Sequence, residues 1–583
     1  MKKKSKVFKV VLTVFLVLVF ATLVFLIAEI NKADKVYYAK INTMDLESPL
    51  AEAATVKAGK ISWVGKKADA PQHIGLFTKV KDFGDDYIYP GFLDGHAHLG
   101  LFSSMEANGT RLEITSYLKD NAEIMKSYIE ANPGREVYKG YGWWNFPNDP
   151  DKPTHEVLDK YASNKVPIVI VDGGGHIAIL NQKAIEYYDL KNKISVYGTD
   201  GIEVDANGNP TGLVRETPRF DIIDSIAVSK DDLKDYFLWK QNDYIKQGYT
   251  TIMDAGLVET EALPQVTALK ELAQEGKLKL RVRAYMQISE TDTNKLEKVD
   301  QIAKMAREIN LDKFKIVGVK IFLDGTPEGS TTWTSQPYLD KSKGANYTGY
   351  HRWTEETKSE LIDIIKSANK QNLMVHFHSM GEGAISYALD CFEAARAGET
   401  TDYRNGMCHL SQINDADFKR FVDNKIIAFV GPHWSSYKVG TKEEEQKIYG
   451  NKALNMYQIK TFLDRGVLTS FHTDGMCQGG VPEMIFSATT RLHPIAAIFD
   501  DGVRGLDERI SAMDSLRCLT TTTAYSMKEE YNLGSIAVGK SADFVVYDKD
   551  FMDNEVAQSG DILNATLKAV ISNGQIVYPF SEL

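Results

Sequence analysis

The feature that most constrains the fold of this chain is an alternation between two kinds of text. Short apolar runs at 166–171, 250–254, 280–286, 317–323, 373–378, 426–430 and 467–471 have the length and residue content of buried strands. Amphipathic stretches such as 357–371 lie between several of them. Strand–helix alternation implies a parallel sheet, because a parallel pair needs a crossover long enough to hold a helix. The strand number favours closure, so the expected fold class is α/β, a (β/α)8 TIM barrel. A chain of 583 residues can bury that core and still form a smaller unit beside it.

The two ends of the chain do not follow the alternation. Residues 37–41, 54–56 and 61–65 read as short strands, and so do 542–547 and 569–578, the last with an Asn573-Gly574 hairpin turn. A small composite β-sandwich is expected from 37–90 and 526–583, flanking a barrel over 91–525. Within the barrel, about 100–248 is too long for a simple crossover and reads as an elaborated insertion that helps to form the substrate pocket.

At the N-terminus Lys2, Lys3, Lys4, Lys6 and Lys9 precede an uncharged run over 10–28. At about 1.5 Å per residue that run nearly spans a hydrocarbon core of about 30 Å. Residues 1–9 are read as a cytoplasmic basic segment and 10–30 as a transmembrane or signal-anchor helix, with the lysines holding that end inside. The expected location is a single-pass attachment to the cell membrane with the catalytic part outside the cytoplasm. Secretion after cleavage of a signal peptide is the alternative. A net charge of −11 argues against nucleic acid as a partner. The four cysteines, Cys391, Cys408, Cys477 and Cys518, show no paired framework, so disulfides do not define the fold.

Chemistry in a barrel sits at the C-terminal ends of the strands. Gly91 to Leu99 (GFLDGHAHL) places His96 and His98 at such an end, one residue apart, so that both imidazoles point the same way. Two imidazoles on one side begin a site for a borderline metal. The other ends carry Lys320, His376 and His378, His409, His433, and His472 with Asp474. These positions hold seven of the twelve histidines. Blander roles exist for each: a strand-end histidine can hydrogen-bond within the core, Lys320 can pair with Asp324, and Asp474 can cap a helix. His376 and His472 are read as inward-facing supports of their neighbours. His176, after Gly173-Gly174-Gly175, is the first candidate for substrate contact, because glycines let backbone approach a ligand closely. Trp143, Trp144, Trp434 and Arg491 are further candidates, with core packing as the aromatic alternative.

From about Ala39 to Tyr578 the chain resembles the amidohydrolase superfamily, specifically the amidohydrolase-3 branch that includes N-substituted formamide deformylase-like proteins. The matching text is GFLDGHAHL, VDGGGHIAIL from Val171, VKIFLDGTPEG from Val319, HSMGEGA from His378, Cys408-His409-Leu410, Asp474-Gly475, and LGSIAVGKSADFVVYD from Leu533. The resemblance implies that His96, His98 and Asp474 bind one divalent metal and that His378 and His409 bind a second. Lys320 would bridge them after carboxylation by CO2, since a carbamate offers two oxygens where an ammonium cannot ligate a cation. A single metal held by a subset of these ligands is the variant. Zinc is the default ion, with manganese, iron or nickel able to use the same residues. The metal would activate a water and polarise the scissile carbonyl, while Asp474 would accept the water's proton and pass it to the leaving nitrogen. Gly381-Glu382-Gly383, Met407-Cys408-His409 and Gly329-Ser330 depart from the branch's text beside the ligands and bear on substrate choice. The implied activity is hydrolysis of a non-peptide C–N bond in a small amide, formamide or cyclic amide. Hydrolytic deamination and ester or lactone hydrolysis are rivals within the superfamily, and a catalytically silent solute-binding surface protein is the rival outside enzymes. The oligomeric state is left open, a homo-oligomer included.

Overall fold

Eight parallel strands carry the larger part of the protein: β1 Phe92–Ala97, β2 Tyr249–Leu257, β3 Arg281–Gln287, β4 Phe314–Phe322, β5 Met374–Ser379, β6 Gly406–His409, β7 Ile427–Val430 and β8 Thr469–Phe471. In this computed structural model, which describes residues 2–145, 149–436, 442–475, 480–494 and 502–579, neighbours in the sheet follow chain order from β1 to β8. The two edges also meet. A Cβ on Gly95 in β1 would overlap Ser470 Oγ and stand 2.8 Å from the Phe471 carbonyl oxygen in β8, and the Asp474 N–H donates to the His96 carbonyl at 3.0 Å. The fold is therefore the expected (β/α)8 barrel. Its strands are buried on both faces; β2 is buried at all nine positions, which is why they read as continuous apolar runs. Helices cover the outside. Lys358–Lys370 buries Leu361, Ile364, Ile365 and Ala368, one stripe at helical spacing.

Between β1 and β2 lies a second sheet of six strands, running from Thr110–Arg111 to Pro210–Arg215. It has its own core, which includes Leu118, Trp143, Ile168, Ile170, Ile179 and Leu213. The run at 166–171, counted from sequence among the barrel strands, belongs here as Ile168–Asp172. Four buried apolar residues, Ile168, Val169, Ile170 and Val171, look the same in either sheet, so composition could not separate them.

The chain divides into two compact units, and the smaller one comprises the chain up to Phe92, Glu529–Asp550 and the chain from Ala565 on. Its seven-stranded sheet joins the two ends where Phe544–Tyr547 pairs antiparallel with Lys79–Pro90. Tyr37, Val56, Ile61, Ile88, Phe544 and Ile571 share one core although their strands span the sheet from edge to edge. Lys60 also bridges to Ser541. The two chain ends thus share one sheet and one core. Phe551–Asn564, inside the expected C-terminal β tract 526–583, groups with the barrel unit instead, where Phe551, Ala557 and Ile562 are buried. The N-terminal helix Lys2–Ile30 contains Phe8–Leu26, long and apolar enough to cross a membrane. Cys391, Cys408 and Cys518 are buried free thiols, and Cys477 lies outside the described residues.

Candidate functional site

The ends of β1, β5, β6 and β8 bring titratable side chains to one mouth of the barrel. His96 Nε2 and His98 Nε2 lie 3.1 Å apart, and Asp474 Oδ1 is 3.1 and 3.2 Å from them. Asp474 and His409 have φ of +61° and +79°. Such left-handed backbone is unusual for these residue types and marks places where a side chain is aimed at some cost. On the far side of His96, Nδ1 is 2.7 Å from His376 Nε2, which fixes the ring so that Nε2 faces Asp474. Asp94 ties β1 to the loop after β8 by accepting from the N–H groups of His96 and Thr473 at 3.2 and 3.1 Å and from the Thr473 hydroxyl. Burial pushes its carboxyl up to about 7.

His378 donates or accepts at Nδ1 with Asp324 Oδ1, 3.1 Å away, while its Nε2 is buried without a hydrogen-bond partner. The His409 ring stands 4.6 Å from it, and His409 Nδ1 is likewise buried and unpartnered. Burial holds His96, His376, His378, His409 and His472 well below the usual imidazole range. They are neutral imidazoles, the form that ligates a metal. Lys320 is fully buried in β4, opposite His376 of β5. Its Nζ donates to Cys408 Sγ at 3.1 Å and lies over the Phe322 ring. Burial lowers its pKa, which favours the neutral amine, the form that reacts with CO2. Asp324 does not pair with it. That carboxylate is taken by His378 and by the N–H groups of Trp333, Met380 and Gly381.

These donors fit a divalent cation. A carboxylate oxygen and imidazole nitrogens converge, and buried ring nitrogens without partners are costly unless something positive meets them. Three overlapping groups each place their donor atoms within 4.8 Å of one another: His96, His98 and Asp474; His96, Cys408 and His409; and His409, His472 and Asp474. Cys408 and His472 thus stand among the donors, although the sequence reading gave neither a ligand role. Both adjoin recognised ligand candidates at strand ends, which was the available signal.

Above the mouth is a cavity whose walls include His176, His378, His409, Asp474, Trp144 and Trp434. Trp434 stacks on His409 with centroids 4.9 Å apart. His176 comes from the inserted sheet, on a turn closed by Asp172. One carboxylate oxygen accepts from the N–H groups of His176 and Ile177 at 3.0 and 2.9 Å, and the other from Gly174 at 3.1 Å. The turn needs Gly175 at φ +74°. His176 Nδ1 is 2.8 Å from Glu216 Oε2, and its ring lies 5.1 Å from that of His378. Glu216 is fully buried and also accepts from Thr331 Oγ1 at 2.9 Å. Its backbone, φ +57° and ψ −128°, is strained for a non-glycine residue. Gly325 makes room for it, since a Cβ there would overlap Glu216 Oε1. Burial alone would depress the His176 imidazole, but the facing Glu216 carboxylate raises it above its ordinary value.

Two candidates for substrate contact are corrected by their surroundings. Trp143 is wholly buried in the core of the inserted sheet, and its neighbour Trp144 is the one that lines the cavity. Adjacent strand residues face opposite ways, so only one of the pair could do so. Arg491 is also fully buried. It donates to the carbonyls of Arg504, Tyr457 and Met456 at 3.1, 2.8 and 3.0 Å, bracing the chain behind the cavity. His433 packs near Trp434 and His493, outside the three donor groups. Glu216 and Asp324 are the site residues that sequence reasoning missed. Arg215-Glu216-Thr217-Pro218 reads as an ordinary helix start, and Asp324 reads as a partner for Lys320.

The family model for the amidohydrolase family matches residues 79–578, through the barrel and the strands of the terminal sheet from Lys79 on. The chain belongs to the amidohydrolase family. It is accordingly a metal-dependent enzyme of non-peptide carbon–nitrogen hydrolysis. N-substituted formamide deformylase of Arthrobacter pascens is 23% identical over 537 residues, covering 88% of this chain and 93% of that protein. Among solved structures, an uncharacterized metal-dependent hydrolase from Pyrococcus horikoshii OT3 superimposes with a TM-score of 0.66 at 21% identity, over 89% of this chain and 98% of that one. Atrazine chlorohydrolase TrzN from Arthrobacter aurescens TC1, complexed with zinc, gives 0.51 at 13% identity, over 93% and 95%. These structural likenesses show the shared fold.

Proposed function

We propose that this amidohydrolase cleaves a small amide, formamide or cyclic amide outside the cytoplasm, attached to the membrane by its N-terminal helix. The observation that carries the reading is the convergence of Asp474 Oδ1 on His96 Nε2 and His98 Nε2 at 3.1 and 3.2 Å. His96, His98 and Asp474 would hold one divalent ion, with zinc as first choice. His378 and His409 would hold a second, with Lys320, as its carbamate, shared between the two. The formamide deformylase relative and the zinc-bound TrzN neighbour support the substrate class and the ion.

When bound, the metal supplies Lewis acidity, which lowers the pKa of water and polarises a carbonyl. The chain supplies the rest. Asp474 takes the attacking water's proton on a carboxylate oxygen and delivers it to the departing nitrogen. His176 faces the same space with its Nδ1–H donating to Glu216; that carboxylate favours the imidazolium, whose Nε2–H donates to the carbonyl oxygen as charge builds there. Trp144 and Trp434 give the cavity apolar walls suited to an N-substituent. Phe8–Leu26 and the lysines before it support the reading with the N-terminus inside and the barrel outside.

The test is a screen of the full-length protein in detergent with added zinc against N-formyl amines, N-acyl amines and cyclic amides, following release of free amine. Metal-dependent amine release is the expected result. Turnover confined to amidine substrates with ammonia release, or to esters and lactones, would overturn it.

A further inference from the structure

The loop at residues 75–78 is tied to the end of the N-terminal helix. The Leu76 N–H donates to Glu29 Oε2 at 2.7 Å, and the Ala33 N–H donates to the His73 carbonyl at 3.1 Å. Lys32 Nζ donates to the Gln72 carbonyl at 2.5 Å. Thr78 Oγ1 donates to the Ala33 carbonyl at 2.6 Å while accepting from the Gly75 N–H at 2.8 Å. No free linker separates the helix from this loop. At its tip Leu76 and Phe77 are 71% and 61% exposed, and Ile30, at the end of the helix, and Val80, after the loop, are each 58% exposed.

Depth along the helix says what those side chains meet. The uncharged run ends at Ala28, and Glu29 is the next residue, about 1.5 Å further along the helix. The polar layer on each side of the hydrocarbon is about 5–7 Å thick. Glu29 and the loop bonded to it therefore lie at headgroup depth, where Leu and Phe side chains bury their surface in the acyl boundary. Lys32 and Lys79 flank the patch, and such cations suit lipid phosphates. Held in water, the same ordered apolar tip would gain nothing from its exposure.

We infer that Leu76 and Phe77 form a second membrane anchor, inserted into the lipid headgroup layer of the leaflet from which the helix emerges. The inference rests on the reading of the N-terminal helix as an uncleaved membrane span. Insertion of the loop fixes the rotation of the helix and the face that the terminal β unit turns to the bilayer.

Spin-label depth measurements test it on the full-length chain in phosphatidylethanolamine–phosphatidylglycerol vesicles. A nitroxide is placed at Phe77→Cys, at Val17→Cys in the middle of the helix, and at Leu46→Cys. Leu46 is 87% exposed and lies beyond the end of strand Lys35–Asn42 that is remote from the helix. The unsubstituted chain, labelled in parallel, corrects for native cysteines. Expected is preferential collision with dissolved oxygen over a water-soluble nickel chelate at positions 17 and 77, and the reverse at 46. If 77 behaves like 46 while 17 lies in lipid, the helix spans and the second anchor is refuted. If 17 also behaves like 46, the membrane-span reading fails and the inference falls with it.

Discussion

The barrel mouth and the sheet inserted between β1 and β2 both face the cavity, yet the imidazoles that each turns towards it are held differently. At the mouth, His378 Nε2 and His409 Nδ1 are buried with no hydrogen-bond partner. In the insertion, Asp172 accepts three backbone N–H groups, and Glu216 takes both His176 and Thr331. Unpaired buried donors are tolerated where a cation supplies the missing interaction; a fully bonded network gives one rigid direction. On this view the mouth is built to be loaded, and the insertion is built to aim one imidazole at what is loaded there.

The sharpest way to break that contrast is to change a mouth residue with a role in proton transfer. Asp474→Asn is expected to lower turnover by about 10²–10⁴-fold with the circular dichroism spectrum unchanged; near-normal turnover would remove the residue from the chemistry. Next comes the insertion. His176→Ala should lower kcat by about 10²–10³-fold while the metal content stays that of the parent, and Glu216→Gln should move kcat in the same direction by less. Loss of metal in the His176 variant would place that residue with the mouth group and erase the distinction. Asp324→Asn probes a mouth residue that is itself paired. Because Asp324 orients His378, metal affinity measured by chelator competition should fall by about 10–100-fold. Smallest is Arg491→Met. With three carbonyls deprived of their donor, unfolding in urea should show a loss of roughly 1–3 kcal/mol, with KM unaltered. A raised KM would return Arg491 to the substrate contacts.

The mouth was legible in the sequence and the insertion largely was not, for a physical reason. Strand ends in a barrel have a fixed meaning, so His96, His98, His378, His409 and Asp474 could be collected by position alone, and the structure places them around one space. Residues 166–171 misled because a strand buried on both faces reads alike in any sheet. Trp143 and Trp144 could not be separated without knowing which face of their strand meets the core. Glu216 carries its information in an unusual backbone angle and in a contact to His176 forty residues away, neither of which leaves a local mark in the text. Arg491 reads as a candidate for substrate contact because its three backbone acceptors come from two other stretches of chain.

That the mouth is a metal centre can be settled by elemental analysis of the purified full-length protein, beside a His96→Ala/His98→Ala double variant. The parent should retain divalent metal through gel filtration, and the double variant should lose most of it while keeping its folded spectrum. A parent that holds no zinc, manganese, iron or nickel after supplementation, or a double variant that holds as much as the parent, would contradict the account.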